Sequence, residues 1–178
     1  MYESSGEPGQ HVRPLHPPFT HFPVAAYVIA AAFDVISVAG GSRHQWAAQL
    51  FQAGTFVLVA GLAICLLTMT TGFADLVRFG ERRPEAVRAI AAHVGVMAGV
   101  FMIGVGDLAW RLVSLGRGST PPGILALTVV AAAGVCCGGH LGGTVVYKHG
   151  SGVGVSRSAR RAAHAAQPDF PRQPDFPG

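Results

Sequence analysis

The sequence predicts an all-α integral membrane protein, a four-helix up-down bundle, on three observations. Half of the 178 residues are apolar and only 12% are charged, where soluble domains carry roughly 25% charge. Four apolar stretches are each long enough to cross a hydrocarbon core about 30 Å thick, which takes roughly 20 residues of helix. The first and third connections, Gly41 to Gln45 and Ser114 to Pro121, are short enough to force antiparallel neighbours.

The spans are expected at about Pro18 to Gly40, Trp46 to Phe73, Ala86 to Val113 and Pro122 to Tyr147. Ahead of the first lie Glu3, Glu7 and Arg13, with no basic run leading into an apolar core and no small-residue cleavage site, so this span reads as an uncleaved anchor. Pro17, Pro18 and Pro23 suit its entry, because a proline in a first helical turn lacks a donor that would be unpaired there anyway. The organisation is then a polar segment 1–15, a membrane domain 16–150 and a tail 151–178. Gly150, Gly152 and Gly154 stop the last helix. A basic run from Arg157 to Arg161 and the repeat Gln167-Pro168-Asp169-Phe170-Pro171, Gln173-Pro174-Asp175-Phe176-Pro177 follow, a composition that cannot bury a core and predicts a disordered tail.

Lys and Arg set the orientation. Ten fall on the side of the termini and the second loop, and three (Arg43, Arg111 and Arg117) on the other, which puts both termini in the cytoplasm and Trp46 and Trp110 in the outer interfacial belt. The positive charge is thus a topology signal, and no aromatic-interleaved basic groove points to nucleic acid. Glycines spaced by four, Gly134, Gly138 and Gly142, Gly139 and Gly143, and Gly95 and Gly99, predict close backbone packing between spans three and four. Cys65, Cys136 and Cys137 lie in apolar runs and read as small buried thiols, which excludes a disulfide framework.

Ionisable groups at membrane depth are costly and mark sites or interhelical hydrogen bonds. His16, His21, Asp75, His93, His140 and His149 gather toward the cytoplasmic side, and only Asp34 and Asp107 lie in the outer half. His93 is seven residues into span three and His140 seven from the end of span four, each about 10 Å from the same face at 1.5 Å per residue, so the two are expected to meet across the glycine ladders. Two level imidazoles suit a bis-histidine haem. A small metal ion would need further ligands, for which Cys136, His21 and Asp75 are candidates. A proton relay has one step available, Asp107, roughly 21 Å from His93 along the same helix. The plainer reading is interhelical hydrogen bonding, which also serves the stripe of Thr20, Tyr27 and Asp34 and that of Thr68, Thr71 and Asp75. His16, without a partner in sequence, reads as an interfacial surface histidine. No nucleophile-base pair, phosphate loop or metalloprotease helix is present, so no independent hydrolase is expected.

Leu15-His16-Pro17 with His21-Phe22-Pro23, Thr71-Gly72-Phe73-Ala74-Asp75, His93, and the run from Gly139 to Gly150 together resemble the bacterial membrane proteins grouped as domain of unknown function 2231, from about Pro14 to Val155. The resemblance implies a four-helix protein of the bacterial inner membrane in a redox setting shared with Rieske-type or cytochrome-containing chains. This chain has no Rieske or haem-c cysteine motif of its own. Two functions follow with nearly equal weight. One is an electron-transfer subunit holding haem b through His93 and His140, with His21 and Asp75 beside them. The other is a non-catalytic subunit packed against other subunits of a membrane complex or a second copy of itself. A metal- or proton-handling transporter, with Cys136 as a ligand, ranks third, since four spans with no inverted repeat are unlike secondary transporters.

The charge asymmetry predicts that reporters inserted near Glu81 or fused after Val155 are cytoplasmic and that reporters near Ser42 or Gly118 are external; an external signal at Glu81 would invert the topology.

Overall fold

The computed structural model describes residues 16–79 and 83–149, all within one compact unit, Pro14–Gly152. A 3-10 turn, Pro17–Phe19, leads into α1 (His21–Gly40), followed by α2 (Gln45–Phe79), α3 (Pro84–Leu112) and α4 (Pro122–His149). All four helices are long and apolar enough to cross a membrane, and the described residues contain no strand. α2 runs six residues beyond the expected span, whereas α1 starts three residues later, because Pro18 belongs to the 3-10 turn. The expectations for 1–15 and 151–178 lie outside the described residues.

The ends follow local chemistry. Gly41 adopts φ 63°, and its N–H donates to the carbonyls of Ser37 and Val38 at 3.1 Å, closing α1 in the left-handed conformation that glycine adopts without penalty. Pro84 and Pro122 open α3 and α4, where the missing N–H costs nothing. At this hairpin end, Trp46 covers Gly40 and Trp110 covers Gly123, each indole about half exposed, as interfacial belt residues are.

The bundle is two helix pairs packed together. In α1/α2, Gly54 accommodates Phe33 and Asp34, and Gly61 accommodates Ala26. In α3/α4, Val100 rests on Gly134, Met97 and Val96 on Gly138, and His93 on Gly142, so α3 side chains fill a glycine groove on α4. The expected ladder on α3 is not part of this contact. Gly95 and Gly99 lie about 150° and 110° around the helix from the inward stripe of His93, Val100, Gly104 and Asp107 and have nothing near them. Gly139 is likewise open. α1 also packs on α4, while α2 and α3 touch least of all neighbouring pairs. Tyr27, Ala30, Leu58, Leu62, Val100, Ala131 and Val135 form the apolar centre.

Leucine at Gly134 or Gly138 is expected to overpack the α3/α4 contact by about 1–3 kcal/mol and to lower the yield of folded protein in detergent, whereas leucine at Gly95 or at exposed Ala126 leaves it unchanged. Equal sensitivity at Gly95 would show that its face is covered.

Candidate functional site

Polar side chains enter the bundle at two levels, one at each end. At the terminal end the short α1 leaves room that the chain before it fills. His16 N–H donates to Asp75 Oδ2 at 2.8 Å, and Thr68 Oγ1 lies 3.4 Å from the Phe19 carbonyl. The His16 imidazole occupies the space a side chain at Gly72 would take, and its Nδ1 sits 2.8 Å from the Thr68 carbonyl. From α3, His93 Nδ1 sits 2.8 Å from the Gly138 carbonyl on α4. A carbonyl only accepts, so both rings carry their proton on Nδ1, and each Nε2 keeps a lone pair when neutral. The two ring centroids are 6.3 Å apart, with planes at 79°. Asp75 Oδ1 is buried and has no hydrogen-bond partner among the described residues.

The expected site residues separate accordingly. His93 is level with 138–142 of α4, but His140 lies two positions, or about 200°, around that helix from both Gly138 and Gly142 and is exposed on the far face. The pair is therefore His16 and His93, and His140 is not brought to it. Asp75 joins the cluster, whereas His21 is exposed. Cys136 shares the outward face with His140, and Cys137 is exposed too, so of the three thiols only Cys65 is buried. Among the described residues no three His, Cys, Asp or Glu side chains are grouped closely enough to hold a metal ion. No partner for His16 was visible in the sequence because the hollow that receives its ring is made by a glycine 56 positions away, Gly72.

At the hairpin end lies a second cluster, centred on a residue, Arg111, that the charge count assigned to the outer side. Arg111 is fully buried, as are Asp34 and Asp107. Its Nε donates to Asp107 Oδ1 at 3.0 Å, its Nη1 to Asp34 Oδ1 at 3.2 Å and Thr55 Oγ1 at 3.3 Å, and its Nη2 to Asp34 Oδ2 and to Thr128 Oγ1 at 2.8 Å. All five guanidinium N–H groups are used, and the plane stacks 5.5 Å from the Phe51 ring centroid. Thr120 Oγ1 donates to Asp34 Oδ1 at 3.0 Å, and the Thr120 N–H donates to Ser37 Oγ at 3.0 Å. The sequence signal was available: Asp107 and Arg111 are spaced i, i+4 inside an apolar run, with Asp34 in another. Removing Arg111 from that count leaves Arg43 and Arg117 at this end and sharpens the asymmetry. Asp107 is no relay step from His93, since Met97, Val100 and Gly104 fill the inward stripe between them.

With the helices and both clusters placed, the comparison with known proteins is direct: a family model described as a predicted membrane protein, DUF2231, matches residues 12–155. The chain belongs to the DUF2231 family. The match covers all four helices and both polar clusters of this DUF2231 protein, which is a multi-pass membrane protein. No curated protein and no solved structure matches it.

Arg111→Gln leaves the buried Asp34 and Asp107 without their cation and is expected to cost on the order of 3–5 kcal/mol. In detergent this reads as loss of the folded fraction or a large fall in Tm, with Arg43→Gln, at an exposed position, unchanged. Equal tolerance of both would show that Arg111 is a surface charge.

Proposed function

We propose that this DUF2231 protein is a membrane-embedded, redox-associated subunit whose cofactor-facing groups are the His16 and His93 imidazoles at the terminal end of the bundle. The supporting observation is the tautomer lock. Each ring gives its Nδ1 proton to a backbone carbonyl on another helix, leaving Nε2 as the free donor atom. Metal-ligating histidines are held in this way, the carbonyl fixing the ring and raising its basicity. The donor count favours haem b over a bare ion. A small metal ion asks for three or four protein ligands, and the described residues offer no such group, whereas haem iron asks for one or two.

His16 and His93 would hold the iron, and bound there haem b supplies one-electron chemistry. The protein's part is positional. Asp75 anchors the backbone of His16, Thr68 orients its ring from α2, and Gly138 orients His93 from α4. Gly72 and Gly142 provide the space in which the two rings sit.

A second reading, an accessory subunit of a membrane complex, draws on the outward face of α3. Gly95, Gly99 and Gly106 stand open there, and small residues on a lipid-facing stripe let another helix approach closely. Its partners would be other membrane subunits or a second copy.

Protein made with ample haem is expected to show haem-b bands in a reduced-minus-oxidised spectrum. His16→Ala and His93→Ala should each abolish or strongly shift them, and His140→Ala should leave them intact. Loss at His140 with no effect at His16 would restore the His93/His140 pair. Colourless protein whose His16 and His93 variants fold normally would end the redox reading and leave the accessory one, to be read by crosslinking through Gly99→Cys.

A further inference from the structure

The hairpin-end cluster has an unbalanced proton inventory. Two carboxylates, Asp34 and Asp107, share one guanidinium, so with both ionised the buried group carries one net negative charge at a depth where uncompensated charge is strongly disfavoured. The hydrogen bonds carry the same message independently of charge. Thr128 Oγ1 lies 2.8 Å from Asp34 Oδ2, 3.0 Å from Asp107 Oδ2 and 2.8 Å from the Ile124 carbonyl. A hydroxyl has one proton, and an ionised carboxylate only accepts. With both acids ionised, at least one of the two hydroxyl-carboxylate contacts brings lone pair against lone pair. A proton on Asp107 Oδ2, donated to Thr128 Oγ1, fills that gap and lets Thr128 donate onward to Asp34.

The extra proton belongs on Asp107 and not on Asp34. Asp34 accepts from two guanidinium nitrogens and from Thr120, besides Thr128, which is the bidentate setting that holds a carboxylate as an anion. Asp107 has a single guanidinium bond, to its Oδ1. Of the other titratable groups that the packed helices bring near, α1 contributes the hydroxyl of Tyr27, which is fully buried with no hydrogen-bond partner among the described residues and sits against Gly104, one turn along α3 from Asp107. α2 contributes Cys65, buried beside Tyr27, while α4 contributes the hydroxyl of Thr128.

The cluster also has an entrance. A cavity of about 260 Å³ opens at the hairpin end, lined by Ser42, Arg117, Ser119 and Thr120 among others. From Thr120 Oγ1 the hydrogen bonds run without a break to Asp34 Oδ1, across the carboxylate to Oδ2, to Thr128 Oγ1 and to Asp107 Oδ2, at 3.0, 2.8 and 3.0 Å. Beyond Tyr27 the apolar centre of Leu58, Leu62, Val100 and Val135 closes the route.

We propose that Asp107 is a proton-binding site of the bundle, loaded from the hairpin end through Thr120, Asp34 and Thr128, the Asp34 carboxyl taking a proton at Oδ1 and rotating to hand that same proton to Thr128, and sealed from the terminal end by the apolar centre. Binding converts the Asp107 carboxylate to a carboxylic acid, brings the net charge of Asp34, Asp107 and Arg111 from minus one to zero, and involves no redox change.

Infrared spectroscopy of the full-length protein in lipid vesicles tests this. Wild type is expected to show the C=O stretch of a neutral carboxylic acid, shifted by D2O. Asp107→Asn, which keeps the neutral shape and the bond to Thr128, should remove that band while folding as well as wild type. Asp34→Asn strips Arg111 of its bidentate partner and should lose folded protein. Absence of the band in wild type, its survival in Asp107→Asn, or equal damage from the two Asn variants would overturn the assignment. Thr120→Val should slow D2O exchange of the band about tenfold or more, equivalent to adding about 1.4 kcal/mol to the barrier. Exchange as fast as in wild type would overturn entry from the hairpin end.

Discussion

Arg111 is the point through which the four helices are tied. Its guanidinium reaches Asp34 on α1, Thr55 on α2, Asp107 one turn back on α3 and Thr128 on α4. In lipid the apolar faces of helices gain little from meeting one another, because the surrounding chains are as apolar as the helices are, so specificity comes from shape and from polar bonds. A planar fork of five donors allows few alternative placements. Sliding any one helix by a residue would rotate its acceptor by about 100° and leave part of a buried cation unpaired. Register throughout the hairpin end depends on this group.

Packing elsewhere uses a different device. α1 meets α2, and α3 meets α4, through glycines that receive a neighbour's side chain, so these pairs are held by close shape. α2 and α3 make less contact: Leu62 of α2 meets Gly104 of α3 at mid-height, Arg111 reaches Thr55 at the hairpin end, and at the terminal end the His16 ring, held by Thr68 of α2, faces His93 of α3.

The two polar levels are insulated from each other. His93 and Asp107 are roughly 21 Å apart along α3, and the stripe between them is apolar. A site facing one end and a site facing the other can each equilibrate with its own surroundings, which is a consequence of placing a Val/Leu layer across the middle.

What the sequence determined by itself was everything governed by length, hydropathy and chain connectivity: four helices and their antiparallel order, because these depend on residues near one another in the chain. The stripe of Thr20, Tyr27 and Asp34 was legible too, and Tyr27 and Asp34 are buried, because helical periodicity fixes which residues share a face. Which face meets which neighbour was decided only by tertiary packing. His93 and His140 had matching depth, yet a helix places residues two positions apart on opposite sides, and the glycines that define the groove on α4 turned His140 outward. His16 was drawn part-way into the bundle because Gly72 left a hollow and α1 was short. Arg111, near a helix end and counted on the outer side, was drawn inside because two carboxylates from separate helices converge there, and a buried cation is tolerated only where its partners meet from several directions at once.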